Sequence, residues 1–142
     1  MATARVTGNV TSNVTTWADV TGLSFALDAN TNYYFRFVLH HSSAATTTGI
    51  RFGVSGPASP TALRVGGMVP ISTVAANFGS QTAYDTAIFA STTGTTVAVM
   101  TIIEGLIRNA GNTGNLACRV ASEVGAATVT VLANSHGVVL PM

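Results

Sequence analysis

Three histidines, one cysteine and five carboxylates are the side chains of this chain that could carry acid–base, nucleophilic or metal chemistry. His40 and His41 are adjacent, and neighbours on a strand point to opposite faces, so the two cannot easily ligate one ion, with or without His136. Cys118 lies between Leu116 and Val120 at a spacing of two, with no cationic neighbour on its own face to lower its pKa. It reads as a small buried hydrophobe, and as a lone cysteine it forms no internal disulfide. A glycosidase needs two facing carboxylates, and a serine hydrolase needs Ser, His and acid in contact beside an oxyanion hole. Asp19, Asp28, Asp85, Glu104 and Glu123 are the only acids. Gly53-Val54-Ser55-Gly56 lacks the glycine spacing of a nucleophile elbow, and no glycine-rich phosphate loop is present. The chain reads as a non-enzyme without cofactor or metal.

The elements that would hold these residues are strands. Val, Thr, Ile and aromatic residues dominate, and they favour a pleated, half-buried surface. Leu23, Phe25 and Leu27 share one face of a first strand, and Tyr33, Phe35, Phe37 and Leu39 one face of a second. The opposite face of that second strand carries Tyr34, Arg36, Val38 and His40. Ile50, Phe52 and Val54 alternate with Arg51 on a third. Joined by short turns, the three predict an antiparallel meander over residues 20–54. Residues 62–71 read as a strand interrupted at Gly66-Gly67, residues 72–81 as a loop with a short helical turn, and residues 82–90 as a further strand. Breakers at Thr92-Thr93-Gly94 then set off residues 95–108 as a long strand, with Val97, Val99, Thr101, Ile103, Gly105 and Ile107 on one side. Residues 115–123 return as its hairpin partner. With Arg108 opposite Asn115, the register places Glu104 across from Arg119, an opposite-charge sheet pair. Residues 127–132 and 136–140 supply two more strands. Eight to ten short strands with turn signals between them predict an all-β, antiparallel, jelly-roll-like sandwich. Residues 1–20 are expected to form an extended N-terminal arm or first strand, and residues 21–142 a single sandwich domain.

Composition narrows the partners. Of 142 residues 47% are hydrophobic and 8% charged, about a third of the usual ~25% charged fraction. Every cation is an Arg, and the six are scattered singly, whereas a nucleic-acid binder clusters its Lys and Arg against phosphates. No apolar run reaches the ~18–20 residues of a membrane helix, and the N-terminus has no basic flank before an apolar run, so it does not read as a signal peptide. Nucleic acid and membrane are not expected partners. A surface this poor in charge is either solvated by Thr, Ser and Asn or covered by other protein. Arg36, Arg51, Glu104 and Glu123 fall inside apolar strands, where an unpaired charge costs several kcal/mol, so each is expected to be paired within or between subunits, as Arg119 is with Glu104 in this register. With Trp17, whose indole suits either a core cap or an interface anchor, they form the set of interface candidates.

Several stretches resemble a family of small phage and prophage proteins. They are Thr21-Gly22-Leu23-Ser24-Phe25 with Tyr33-Tyr34-Phe35-Arg36-Phe37, then Thr47-Thr48-Gly49-Ile50-Arg51-Phe52, and Ile103-Glu104-Gly105-Leu106-Ile107 with Arg119-Val120-Ala121-Ser122-Glu123. Leu132-Ala133-Asn134-Ser135-His136 also fits, so the resemblance covers residues 21–140. It is similar to bacteriophage virion proteins of jelly-roll type, both capsid decoration (cement) proteins and the terminal domains of tail fibres. The resemblance implies a structural role in a virion and a homotrimer. With no fibrous shaft in the chain, it points to a capsid decoration protein on the capsid surface, made in the host cytoplasm, that binds the major capsid protein. A receptor-binding tail or head-fibre tip is the alternative, with residues 42–48 as its contact loop.

Overall fold

In the computed structural model, which describes residues 1–71, 74–89 and 94–142, every regular element is a strand. Chain order is β1 (Ala2–Arg5), β2 (Val10–Ser12), β3 (Ala18–Leu27), β4 (Asn32–Ser43), β5 (Ile50–Ser55) and β6 (Ala62–Pro70). There follow β7 (Ala76–Gln81), β8 (Val99–Arg108), β9 (Gly114–Ser122), β10 (Val129–Val131) and β11 (His136–Pro141). The larger sheet runs β1-β11-β4-β8-β6-β7, and β10 joins the far end of β4 with β2 outside it. The smaller sheet is β3-β9-β5, and all pairings are antiparallel. The Asp85 and Ile88 amides donate to the Val54 and Phe52 carbonyls, so residues 85–88 run along the edge of β5 without forming a regular strand. The result is a jelly-roll-like sandwich with β6–β7 added as a hairpin beyond β8.

Most of the inward-facing sets predicted from alternation fill the core; Val97, placed on the inner side of the 95–108 strand, lies before β8 and is 71% exposed. Leu23, Phe25 and Leu27 from β3, Phe35, Phe37 and Leu39 from β4, and Phe52 from β5 are buried, with Phe37 in ring contact with both Phe25 and Phe35. Ile103 and Ile107 of β8, and Leu116, Cys118 and Val120 of β9, complete it.

Strand pairing departs from expectation. The meander of residues 20–54 does not exist: β3 and β5 belong to the small sheet and β4 to the large one. The expected hairpin of residues 95–108 with 115–123 is absent for the same reason, since β8 and β9 lie in opposite sheets. Glu104 therefore stands across from Arg36, and Arg119 across from Asp19. Both connections are arches that carry the chain over the core, so successive strands stack instead of pairing. The arches hold each other. Asn30 N–H donates to the Ala110 carbonyl and Asn109 N–H to that of Thr31, while the buried Asn109 amide donates to the carbonyls of Asp28 at 2.7 Å and Asn112 at 2.8 Å.

Residues 76–81, expected as loop or helical turn, form β7 and pair with β6. Residues 82–89 are turns and bends instead of a strand, because their backbone is spent on the flank of β5. Ser72, Thr73, Ala90 and the turn residues Thr92 and Thr93 lie outside the described residues. Residues 1–12 supply β1 and β2, paired to β11 and β10. One glycine is required by the backbone: Gly22, at φ 93°, takes the bulge where the β3–β9 register shifts, and a Cβ there would stand 2.9 Å from the Arg5 carbonyl oxygen.

A histidine sits among the core residues. His41 is fully buried on β4, with its ring edge-on to Phe52 at 5.0 Å and Nε2 2.7 Å from Thr101 Oγ1. Its Nδ1 is buried with no hydrogen-bond partner. Burial, helped by neighbouring His40, lowers its pKa to about 4. The unfolded chain takes up a proton near pH 6.5 that the fold refuses until about 4, so the neutral ring's contribution is complete above pH 6.5 and is lost on acidification.

Two outcomes follow for stability. Chemical denaturation at pH 7 should show Asn109→Ala destabilised by about 1–3 kcal/mol, because the buried side chain's hydrogen bonds to the Asp28 and Asn112 carbonyls are both lost. Asn112→Ala, which removes one exposed bond to the Ala58 carbonyl, should cost less than about 1 kcal/mol; equal costs would count against the arch-to-arch role of Asn109. Between pH 6.5 and 4 the wild type should lose up to about 3 kcal/mol, and His41→Gln should lack that component of the slope. An unchanged slope in the variant would place the titrating group elsewhere.

Candidate interaction surfaces

The residues with chemical potential are kept apart by the strands that carry them. His41 faces the core and His40 the outside, as adjacent strand residues must. His136 is exposed, with Nδ1 3.2 Å from the Asn134 carbonyl. Cys118 is completely buried, and burial pushes its thiol up, with the Asp19 carboxylate adding to the shift. Ser55 ends an extended strand, not an elbow. Among the described residues no three of His, Cys, Asp and Glu come close enough to hold a metal ion. No described helix is long and apolar enough to cross a membrane.

Three of the interface candidates meet on the outer face of the small sheet. The Trp17 indole lies flat against Gly53, where a Cβ would stand 3.3 Å from the ring, and the Arg51 guanidinium is 5.3 Å from the ring centroid. Arg51 Nη2 donates to the Thr15 carbonyl. Arg119 binds Asp19 through Nη1 at 2.7 Å, donates to the Trp17 carbonyl, and brings Nε to 3.2 Å from Asp85 without hydrogen-bond alignment. Arg119 thus ties β3, β9 and the 85–88 segment together. Asp19 and Asp85 as its partners were not readable, because each lies far along the chain from it. Glu123 sits at the turn after β9 and accepts from the Gly49 amide at 3.2 Å.

Arg36 and Glu104 occupy a different surface, the outward face of the large sheet. Glu104 Oε2 accepts from the Tyr34 hydroxyl at 2.8 Å, and burial followed by that carboxylate raises the Tyr34 pKa. Arg36 reaches no carboxylate within 4 Å among the described residues. Around them the sheet lays out rows of aligned side chains. One runs Thr3, Val138, Arg36, Glu104, Gly66, Ser80 across β1, β11, β4, β8, β6 and β7. The next runs Arg5, His136, Val38, Ile102, Met68, Phe78 over the same strands. A third holds Leu140, Tyr34, Leu106 and Arg64. Phe78 is 78% exposed, and Met100, Leu106 and Leu140 are each exposed by more than two fifths. A shallow depression of about 620 Å³ opens between Arg36, Glu104, Ile102, Met68 and Phe78. Phe78 escapes a sequence reading because its strand was not visible. Ile102 and Leu106 were visible, as apolar residues on the wrong side of an alternating run.

A second apolar surface forms one end of the sandwich, where four loops interlock. The Ser43 amide donates to Thr95, Ala44 to Thr128, Ser122 to Val14, Glu123 to Gly49 and Ala126 to Asn13. These loops expose Val14, Val97 and Val124 among Thr, Ala and Gly, with Glu123 as their charge. The opposite end, built from the two arches, is polar, with Asp28, Asn30 and Asn112 exposed.

No protein-family model matches the chain, and no curated protein matches it. Among solved structures, a chain of the infectious bursal disease virus VP2 subviral particle is similar at 12% identity and a TM-score of 0.27, over 99% of this chain and 39% of that one. A chain of the infectious bursal disease virus Gt strain is similar at 13% identity and a TM-score of 0.24, over 99% of this chain and 37% of that one. This chain therefore spans well under half the length of the structures it resembles, and at these scores the likeness does not bear on its activity.

Proposed function

We propose that this chain is a non-enzymatic structural protein of a bacteriophage virion: a capsid decoration (cement) protein that binds the assembled major capsid shell and stabilises it. The observation that supports this most is the presence of two separate apolar surfaces on one small molecule, the outward face of the large sheet and the valine-bearing loop end. Contiguous apolar patches of this kind mark sites that other protein covers. A protein with two such surfaces can bridge partners, and bridging is how a bound protein strengthens a shell. Mass action gives the mechanism: whatever binds the assembled state and not the dissociated one shifts the equilibrium toward assembly. Low charge fits the same reading, since few charged groups need to be desolvated when these surfaces are covered. In this reading the loop end contacts the shell, and the protein resides on the capsid surface after synthesis in the host cytoplasm.

Mixed with purified expanded shells lacking it, the protein should add in a fixed ratio amounting to hundreds of copies per particle and raise the temperature at which the shells come apart. Val97→Asp and Val124→Asp, both at exposed loop positions, should bind at least about tenfold more weakly while melting like the wild type. Binding to host cells with inhibition of infection, and no addition to shells, would identify a receptor-binding tip and overturn the decoration reading.

A further inference from the structure

The outward face of the large sheet is complementary to itself. Its six strands run β1-β11-β4-β8-β6-β7, so the midline falls between β4 and β8, and Arg36 and Glu104 flank that midline directly opposite one another. A twofold axis lying in the face along this midline carries each strand onto its mirror position: β4 over the second copy's β8, β11 over its β6, β1 over its β7. Arg36 of each copy then stands over Glu104 of the other. Neither charge needs to move to a new site, and the Arg36 guanidinium, which reaches no carboxylate within 4 Å in its own chain among the described residues, gains one.

The flanking rows match under the same operation. Val38 meets Ile102, Tyr34 meets Leu106, and His136 meets Met68, so apolar or half-apolar groups oppose each other. Val138 faces the open space above Gly66. At the outer edge Arg5 falls over Phe78, the most exposed aromatic ring on this face, in position for a cation–π contact. An axis moved by half a strand interval, onto β4 or onto β8, loses this: Arg36 would then face Arg36 or Gly66. The size fits as well. Six strands at ~4.8 Å spacing and about 25–30 Å of strand length give roughly 800 Å² of face, against the ~800 Å² per partner of a standard-size interface. Identical faces packed in this way also satisfy the aligned geometry of stacked sheets.

From the self-complementary placement of Arg36, Glu104 and the rows beside them, we propose that the occupant of this face is a second copy of the chain, docked sheet to sheet about a twofold axis, in place of the homotrimer that the resemblance implies. This rests on the reading of the face as a protein interface and names its partner, which leaves the loop end of each copy free for the shell.

Sedimentation equilibrium of the full chain should give twice the chain mass at micromolar concentration, with dissociation on dilution. Arg36→Glu and Glu104→Arg should each raise the dimer dissociation constant at least about tenfold, because each sets like charges face to face twice. The double variant with the signs exchanged should restore the dimer, and Phe78→Ser should weaken it while melting like the wild type. A monomeric or trimeric wild type, or single variants that dimerise like it, would overturn the proposal. Shell binding separates this from the reading above. A monomeric wild type that still adds to shells refutes the dimer alone, whereas a dimer that adds to no shell refutes the decoration role alone.

Discussion

The architecture depends on two arches that hold each other across one end of the sandwich, and Asn109 is where they meet. Its buried amide donates to Asp28 in the first arch and to Asn112 in its own, while its backbone amide donates to Thr31. A side chain that caps two carbonyls in this way fixes where the chain leaves one sheet and enters the other. Because β3 and β4 are separated at one arch and β8 and β9 at the other, β4 is free to pair with β8, and β3 with β9. The central pair of each sheet is thus a consequence of the same few hydrogen bonds. The outward position of Arg36 beside Glu104 is a consequence of that pairing.

This also explains which parts of the fold were legible in the sequence. Period-two alternation gives the buried set of each strand, and Phe35, Phe37, Phe52, Leu116 and Cys118 all lie inside as alternation requires. Alternation is silent about partners, since a strand buries the same face whether its successor lies beside it or across the core. Glu104 and Arg119 were therefore matched by a plausible turn, although an arch stands there. Residues 76–81 hid for another reason. The inward positions of β7 are Asn77, Gly79 and Gln81; Gly79 packs against the Ile88 carbonyl and Gln81 donates to the Ala87 carbonyl. Polar and small residues suit such a neighbour, so the hydrophobic alternation that marks a strand is missing although the strand is there.

The few charges divide by role. On the small sheet Arg119, Asp19 and Asp85 hold three segments of one chain, and Arg51 braces Trp17 over Gly53. Ion pairs as exposed as these contribute little energy, about 1 kcal/mol or less each, but they select one register for segments that apolar contacts alone would leave free to slide. On the large sheet Arg36 and Glu104 lie among Val38, Ile102 and Met68 and do not bridge strands at salt-bridge distance. Glu104 is tied to its own chain through the Tyr34 hydroxyl, whereas Arg36 has no carboxylate within 4 Å among the described residues.

Surface chemistry then follows from fold geometry. A strand shows alternate residues to opposite faces, so a chain that is apolar on both faces must either bury both or cover one with another molecule. The large sheet buries its inner face against the small sheet and leaves Met68, Phe78, Met100, Ile102 and Leu106 outward on β6, β7 and β8. The small sheet instead turns Ser24, Ala26, Asn115 and Arg119 outward and protects its centre with Trp17. One sheet is finished within the chain and the other is not. That asymmetry, more than the low total charge, is what sets the two faces apart, because polar and small residues cover the small sheet while Met68, Phe78, Met100, Ile102 and Leu106 leave the large one apolar.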